Sequence, residues 1–275
     1  MLNRLKKLGL SLFIAKVISV LGIKLESKIK EIRYSKNKSF FKIRVDDDNF
    51  EMSFSNYNIG KAIQERIDGI REPETTSIIK SLLRPGDKVL EIGGCYGYFT
   101  MLMANAVTHS GKVVSIESLP KNYEIQKTNI QQNDFKNIEC YNRFIGKVGE
   151  IVEFDINDES NSQGISNINN SRIDENISKI SVKCINIADF LNEIEFVPTY
   201  IFMDIEGFEV EAIEQLCSQY LEFNSPTFVF EHHESFYSKN KGLEYIRKLL
   251  IDKGYVVRKV YGNICAFKNV DHIKV

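Results

Sequence analysis

The sequence predicts an α/β fold: a doubly wound, mostly parallel sheet that ends in an antiparallel hairpin, with a small N-terminal helix and β-hairpin extension in front of it. Three observations carry this. From Lys88 onward, apolar runs of strand length alternate with amphipathic segments of helix length. The first of these strands leads through a glycine turn into an apolar helix, "VLEIGGCYGYFT" at 89–100. After the last helix, "YVVRKV" and "NICAFK" flank Tyr261–Gly262–Asn263, which reads as a hairpin that turns one strand antiparallel.

The elements follow in order. The opening "MLNRLKKLGLSLFIAKVISVLGIKL" has a basic start, but Lys16 and Lys24 interrupt the apolar stretch and no small-residue cleavage site follows. Its apolar residues recur at helical spacing, so it is expected to form an amphipathic helix, packed on the body or a second subunit or attached to an anionic membrane surface. "SFFKIRV" and "FEMSFS" flank "DDDN" as a hairpin, and this extension, residues 1–57, precedes a main domain at 58–275. "IGKAIQERIDGI" and "EPETTSIIKSLL" are helical, the second with Pro73 in its first turn. Strand and helix then alternate through "KVVSIE", "NYEIQKTNIQQN" and the third strand "NIECYNRFIG". "EIVEFDI" and "KISVKCINI" enclose an Asn- and Ser-rich segment at 157–179, either disordered or a flap over a site. "TYIFMDIEG", "FEVEAIEQLCSQYL", "PTFVFEHH" and "GLEYIRKLLIDKG" complete the alternation.

Composition excludes several functions. Lys and Arg number 36 against 37 Asp and Glu, with no long basic stripe, so nucleic acid is not the expected partner. The five cysteines, Cys95, Cys140, Cys184, Cys217 and Cys265, form no CxxC pair, which points away from a disulfide framework or zinc site and toward a reducing, cytoplasmic setting.

The glycine turn reads Glu91-x-Gly93-Gly94-x-x-Gly97. A dinucleotide fingerprint needs Gly-x-Gly-x-x-Gly, so pyrophosphate binding and a nicotinamide-dependent oxidoreductase are not expected. An acid opening the turn suits a ligand with an ammonium group, such as S-adenosylmethionine, and the glycines would let the backbone close on it. Glu117 ends the second strand, where a carboxylate can accept both ribose hydroxyls.

From Glu72 to His233 the chain resembles the FkbM-type, class I S-adenosylmethionine-dependent methyltransferases. The residues that carry this are "EPETTSIIKSLLRPGD", "EIGGCYGYFT", "IESLPKNYEIQKTNIQQN", "FMDIEGFE" and "FVFEHH", in the family's order. Departures are Cys95 for the family's Asn, Ser118 for the Pro after the ribose acid, Phe202 for a frequent Lys, and "IAD" for "LDD". The resemblance implies a Rossmann-like seven-stranded sheet, S-adenosylmethionine as cofactor, and a cofactor site drawn from Glu72, Glu91, Gly93, Gly94, Gly97, Tyr98, Glu117 and Asn142. It also implies O-methylation of a glycan, sugar or natural-product hydroxyl. A non-catalytic protein that keeps the cofactor fold is the second class of function.

Catalytic groups are expected beyond the carboxyl ends of the strands: Asp204 and Glu206 after one, Glu231 and His233 after the next. Asp204, Glu231 or His233 would remove the acceptor's proton, and His233 starts nearest a useful pKa. A divalent metal on Asp204, Glu206, Glu231 and His233 is the alternative. Glu206 and Glu209 also suit the start of a helix, Glu72 suits a helix cap or the cofactor's methionine end, and His109 and His272 suit the surface.

Overall fold

The computed structural model describes residues 40–54, 60–146, 148, 151–156, 178–218, 220–238 and 240–268. The expected N-terminal helix, the stretch 157–177 and His272 lie outside the described residues. Strands β1 (Phe41–Val45) and β2 (Asp48–Met52) form the predicted hairpin, and α1 (Lys61–Ile67) and α2 (Pro73–Leu82) follow. The main alternation then runs β3 (Lys88–Ile92), α3 (Tyr98–Val107), β4 (Lys112–Glu117), α4 (Pro120–Gln132) and β5 (Ile138–Asn142). Next come β6 (Phe144–Ile145), β7 (Ile151–Ile156), β8 (Ser178–Ile185), α5 (Ile187–Glu193), β9 (Tyr200–Met203) and α6 (Glu209–Ser218). The described chain closes with β10 (Thr227–Phe230), α7 (Leu243–Asp252), β11 (Val256–Val260) and β12 (Asn263–Phe267). No described helix is long and apolar enough to cross a membrane.

The central sheet has seven strands in the order β11-β12-β10-β9-β3-β4-β5. The pairs from β10 through to β5 are parallel, whereas β12 runs antiparallel to both of its neighbours. The strands β3, β4, β9 and β10 are almost wholly buried, as a sheet covered on both faces requires. One face packs Leu90, Ile116, Ile201 and Phe228 against α5, α6 and α7; the other packs Val89, Val113, Phe202 and Val229 against α2 and α3. The chain order reverses between β3 and β9, and there the ends of neighbouring strands open a crevice.

The predicted third strand breaks at Arg143. The side-chain amide of Asn142 donates to the carbonyls of Glu117 (2.8 Å) and Ser118 (2.9 Å) and so ends the ladder. Phe144 and Ile145 instead join β8, in a separate sheet ordered β6-β8-β7.

Two asparagines of α4 anchor the N-terminal hairpin. Asn133 accepts from the Glu51 amide (2.7 Å) and donates to its carbonyl (2.7 Å). Asn129 accepts from the Ser53 amide (2.7 Å) and donates to the Tyr96 carbonyl (2.8 Å). Each side chain acts as a short neighbouring strand for β2 and satisfies groups that burial would otherwise leave unpaired. Phe41, Ile43, Phe50 and Met52 share one core with Ile63, Tyr96, Tyr98 and Met101, so the extension and the main domain are packed as one.

Candidate active site and cofactor cleft

The turn after β3 is built around a buried polar network. Glu91, 5% exposed, accepts from Thr100 Oγ1 at 2.5 Å and Ser115 Oγ at 2.6 Å. Gln126 Nε2 donates to both hydroxyls, at 3.0 and 2.7 Å. Burial pushes the Glu91 carboxyl up to about 7, against the two hydroxyl bonds that favour its charged form. These two bonds hold Glu91 beneath the turn, beside the cavity that Glu72, Gly93 and Asp204 also line.

The glycines are explained by the same packing. Gly93 (φ 97°) lies with its Cα against the Asp204 carbonyl, and an added Cβ would stand 2.1 Å from that oxygen. At Gly94 a Cβ would stand 2.1 Å from Gln126 Nε2 and 2.3 Å from Ser115 Oγ. At these two positions an added Cβ would meet protein, while Gly93 also lines the cleft. Tyr98 is corrected from a cofactor contact to a core residue: it is 1% exposed and packs edge-on against Phe50 and Phe99. Asn142 acts through the Glu117–Ser118 carbonyls, as described above.

The crevice itself is a cleft open to solvent. Glu117 lies on its floor, 5% exposed, with Oε2 accepting from the Cys95 amide (2.7 Å) and Oε1 from the Leu119 amide (2.8 Å). Burial raises its pKa and the two amides oppose that shift. The Asn122 side chain and the Ser118 amide also bond this carboxylate. Ile116, Leu119, Phe144 and Phe208 give the cleft apolar walls suited to a purine.

At the other side stand the strand-end acids. Ligand atoms of Glu72, Asp204 and Glu231 lie within 4.8 Å of one another, and so do those of Asp204, Glu206 and His233. The four expected metal ligands therefore divide between two groups that share Asp204. Burial and then the charges of Glu231 and Glu72 push Asp204 up to about 7. Its side chain is 46% exposed to the cleft, so bulk water moderates this push and a bound ligand that excludes water strengthens it. Glu72 is raised by burial and by Glu231, while its ion pair with Arg71 opposes the shift. It stands at the N-cap of α2 in a left-handed conformation (φ 44°) with no capping bond from its side chain, which instead pairs with Arg71 and accepts from Thr75 Oγ1 at 3.5 Å.

His233 follows β10 and faces Glu209 through Nδ1 (2.9 Å), with Nε2 3.5 Å from Asp204 and 3.8 Å from Glu206. Burial disfavours its charge, but Glu209, Asp204 and Glu206 together push it up to about 9. This upward push favours its charged form. Sequence reasoning missed the hub of this arrangement. Glu209 is fully buried and also accepts from the amides of Ile205 (3.2 Å) and Gly207 (3.0 Å). It thereby ties the turn after β9 to the end of β10.

An acid closing the second strand, a glycine turn and carboxylates at the switch point around one cleft define an S-adenosylmethionine-dependent methyltransferase of class I. Residues 91–257 match the model of the methyltransferase FkbM domain, more than half of the chain, and the chain belongs to that family. Its cofactor is S-adenosylmethionine.

Among curated proteins the chain is similar to protein-L-isoaspartate O-methyltransferases. That of Methanothrix thermoacetophila is 41% identical over 56 residues, 20% of this chain and 27% of that protein. That of Methanopyrus kandleri is 32% identical over 78 residues, 28% and 32% of the two chains. The chain thus spans about a third or less of the length of these relatives. Among solved structures, fibrillarin of Aeropyrum pernix in complex with natively bound S-adenosyl-L-methionine is 11% identical with a TM-score of 0.45, over 86% of this chain and 96% of that one. Precorrin-6y C5,15-methyltransferase of Geobacter metallireducens is 12% identical with a TM-score of 0.44, over 72% and 88%.

Proposed function

We propose that this methyltransferase acts on oxygen, methylating a neutral hydroxyl of a sugar, glycan or natural product, with Asp204 as the base. The observation that carries the reading is the charge of the acceptor side. Glu72, Asp204, Glu206 and Glu231 gather there, with Arg71 and His233 offsetting only part of their charge. Such a surface attracts a sulfonium and repels an anion. The curated relatives are named for a carboxyl acceptor, but a carboxylate needs no base and would meet this repulsion. A neutral hydroxyl needs a base and meets none.

The bound cofactor supplies an activated methyl group on a positively charged sulfur. This chain's residues do the rest. Asp204, at the open end of β9 and raised to about 7, accepts the acceptor's proton on its carboxylate as the new bond to oxygen forms. The imidazolium of His233, oriented by Glu209, holds Asp204 in place and keeps part of it ionised near neutral pH. Glu72 and Glu231 hold the pKa of Asp204 high enough for proton transfer.

Asp204→Asn tests this against a panel of sugar and polyketide alcohols. The expected result is a fall in kcat of roughly 10²- to 10⁴-fold at saturating cofactor. Undiminished turnover, or turnover with carboxylate acceptors alone, would refute the proposal.

A further inference from the structure

Arg66, in the last turn of α1, lies outside the segment that matches the family, and among the described residues its charge acts on Glu72 only at longer range, without an ion pair. Its Nη1 donates to the Ala62 carbonyl one turn back (3.0 Å), and its guanidinium stands over the Tyr96 ring at 5.4 Å. Its Nη2 reaches the Cys95 sulfur at 3.9 Å, and its Nε is buried without a hydrogen-bond partner. Among the described residues Arg66 makes no ion pair. Its neighbour Arg71, by contrast, is held by Glu65 (3.1 Å) and Glu72.

An arginine held on one side by a ring and a helix carbonyl, with no carboxylate in direct contact among the described residues, is preorganised for an anion. Arg66 lines the cleft beside Gly93 and Cys95, and the Cys95 amide is itself bonded to Glu117. The anion therefore belongs a few ångströms from the ribose contact, on the side of the glycine turn. The methionyl end of the cofactor carries a carboxylate and an ammonium on one carbon. The acids Glu72 and Asp204, which also face the cleft region around Gly93, repel the first and attract the second.

We infer that Arg66 is a cofactor-binding residue that takes the α-carboxylate of S-adenosylmethionine, opposite the Glu72–Asp204 acids that face its ammonium. The inference rests on the cofactor assignment and adds to it a polarity. The amino-acid end can lie in one orientation, and in that orientation the methyl group faces the strand-end acids. Cys95 assists by being small. Its side chain leaves the guanidinium access to the cleft at the position where the family has Asn.

The test compares two ligands that differ only in the carboxylate, S-adenosylmethionine and decarboxylated S-adenosylmethionine, by calorimetric titration of full-length wild type, Arg66→Gln and Arg66→Lys. Expected is a roughly ten- to hundred-fold weaker binding of S-adenosylmethionine by Arg66→Gln, the size of a lost charge-assisted contact. The decarboxylated ligand should change by less than about twofold, with Arg66→Lys intermediate for the first ligand, because a lysine keeps the charge but not the fork. Thermal melting of each variant checks that the fold is retained, and Arg66→Lys serves if Arg66→Gln is unstable. Equal weakening of both ligands, or of neither, would overturn the inference while leaving the cofactor in place. Failure of wild type to bind either ligand would overturn the cofactor assignment, and the inference with it.

Discussion

Replacing Glu91 by Gln should change how stability depends on pH. A carboxyl whose folded pKa is raised holds a proton that the unfolded chain has already released. Its stabilising contribution is therefore complete below the ordinary 4.5 and is lost as pH rises toward about 7. Glu91 is fully enclosed, so solvent screening takes little from the effect. At about 1.4 kcal/mol per pH unit, the wild type loses about 3 kcal/mol across that interval relative to a variant that cannot titrate. Glutamine keeps the side-chain shape and an acceptor oxygen for Thr100 and Ser115. Urea unfolding of both proteins at pH 5, 6, 7 and 8 reads the difference directly. The variant should gain on the wild type at each step and be the more stable protein at pH 8. Parallel profiles would mean that Glu91 is ionised in the folded state throughout, and the account of the network beneath the turn would be wrong.

Glu117→Ala should weaken S-adenosylhomocysteine roughly a hundred-fold in calorimetric titration, because it removes charge-assisted contacts and leaves the Cys95 and Leu119 amides without an acceptor. An unchanged affinity would remove the ribose assignment. In Glu209→Gln the imidazole of His233 should titrate well below its value of about 9, as read by proton–nitrogen NMR. The wild-type histidine contributes stability that is complete below 6.5 and lost as pH rises through about 9, so the variant should lack that alkaline loss. Gly94→Ala should cost about 1–3 kcal/mol of stability by driving a methyl group into Gln126 and Ser115. A melting temperature equal to that of wild type would show that the network yields without cost.

Much of the fold was legible because each element carries its own signal. The glycine turn, Pro73 at a helix start, the alternating burial of β1 and the Tyr261–Gly262 turn are local features, and each appears where the sequence places it. Glu117 and the acids after β9 and β10 were legible for a related reason. A position at a strand's carboxyl end in a parallel sheet is already a position at the crevice. What was not legible depends on partners distant in sequence. Nothing near Glu91 announces Gln126, 35 positions on, yet that side chain and Ser115 decide that Glu91 is structural. Glu209 reads locally as an acid at a helix start, and only folding brings His233 to it. The upward push on the His233 pKa was illegible for the same reason, since it comes from three acids of another strand end and helix. The one available signal was polarity in the wrong place: Ser115 and Thr100 sit at buried positions of otherwise apolar elements.

The C-terminal hairpin has a consequence for anyone shortening this chain. The family match stops at residue 257, inside β11, yet β12 is buried along its whole length between β11 and β10. A fragment cut at the match would strip β10 of its neighbour and present Phe228, Val229 and Phe230 along an open, apolar border. Such borders recruit other chains into intermolecular sheets. The intact protein ends that side of the sheet instead with Arg258 and Lys259, adjacent exposed charges on β11. Recombinant fragments bounded at 257 should accumulate in inclusion bodies while those reaching Phe267 or beyond stay in solution.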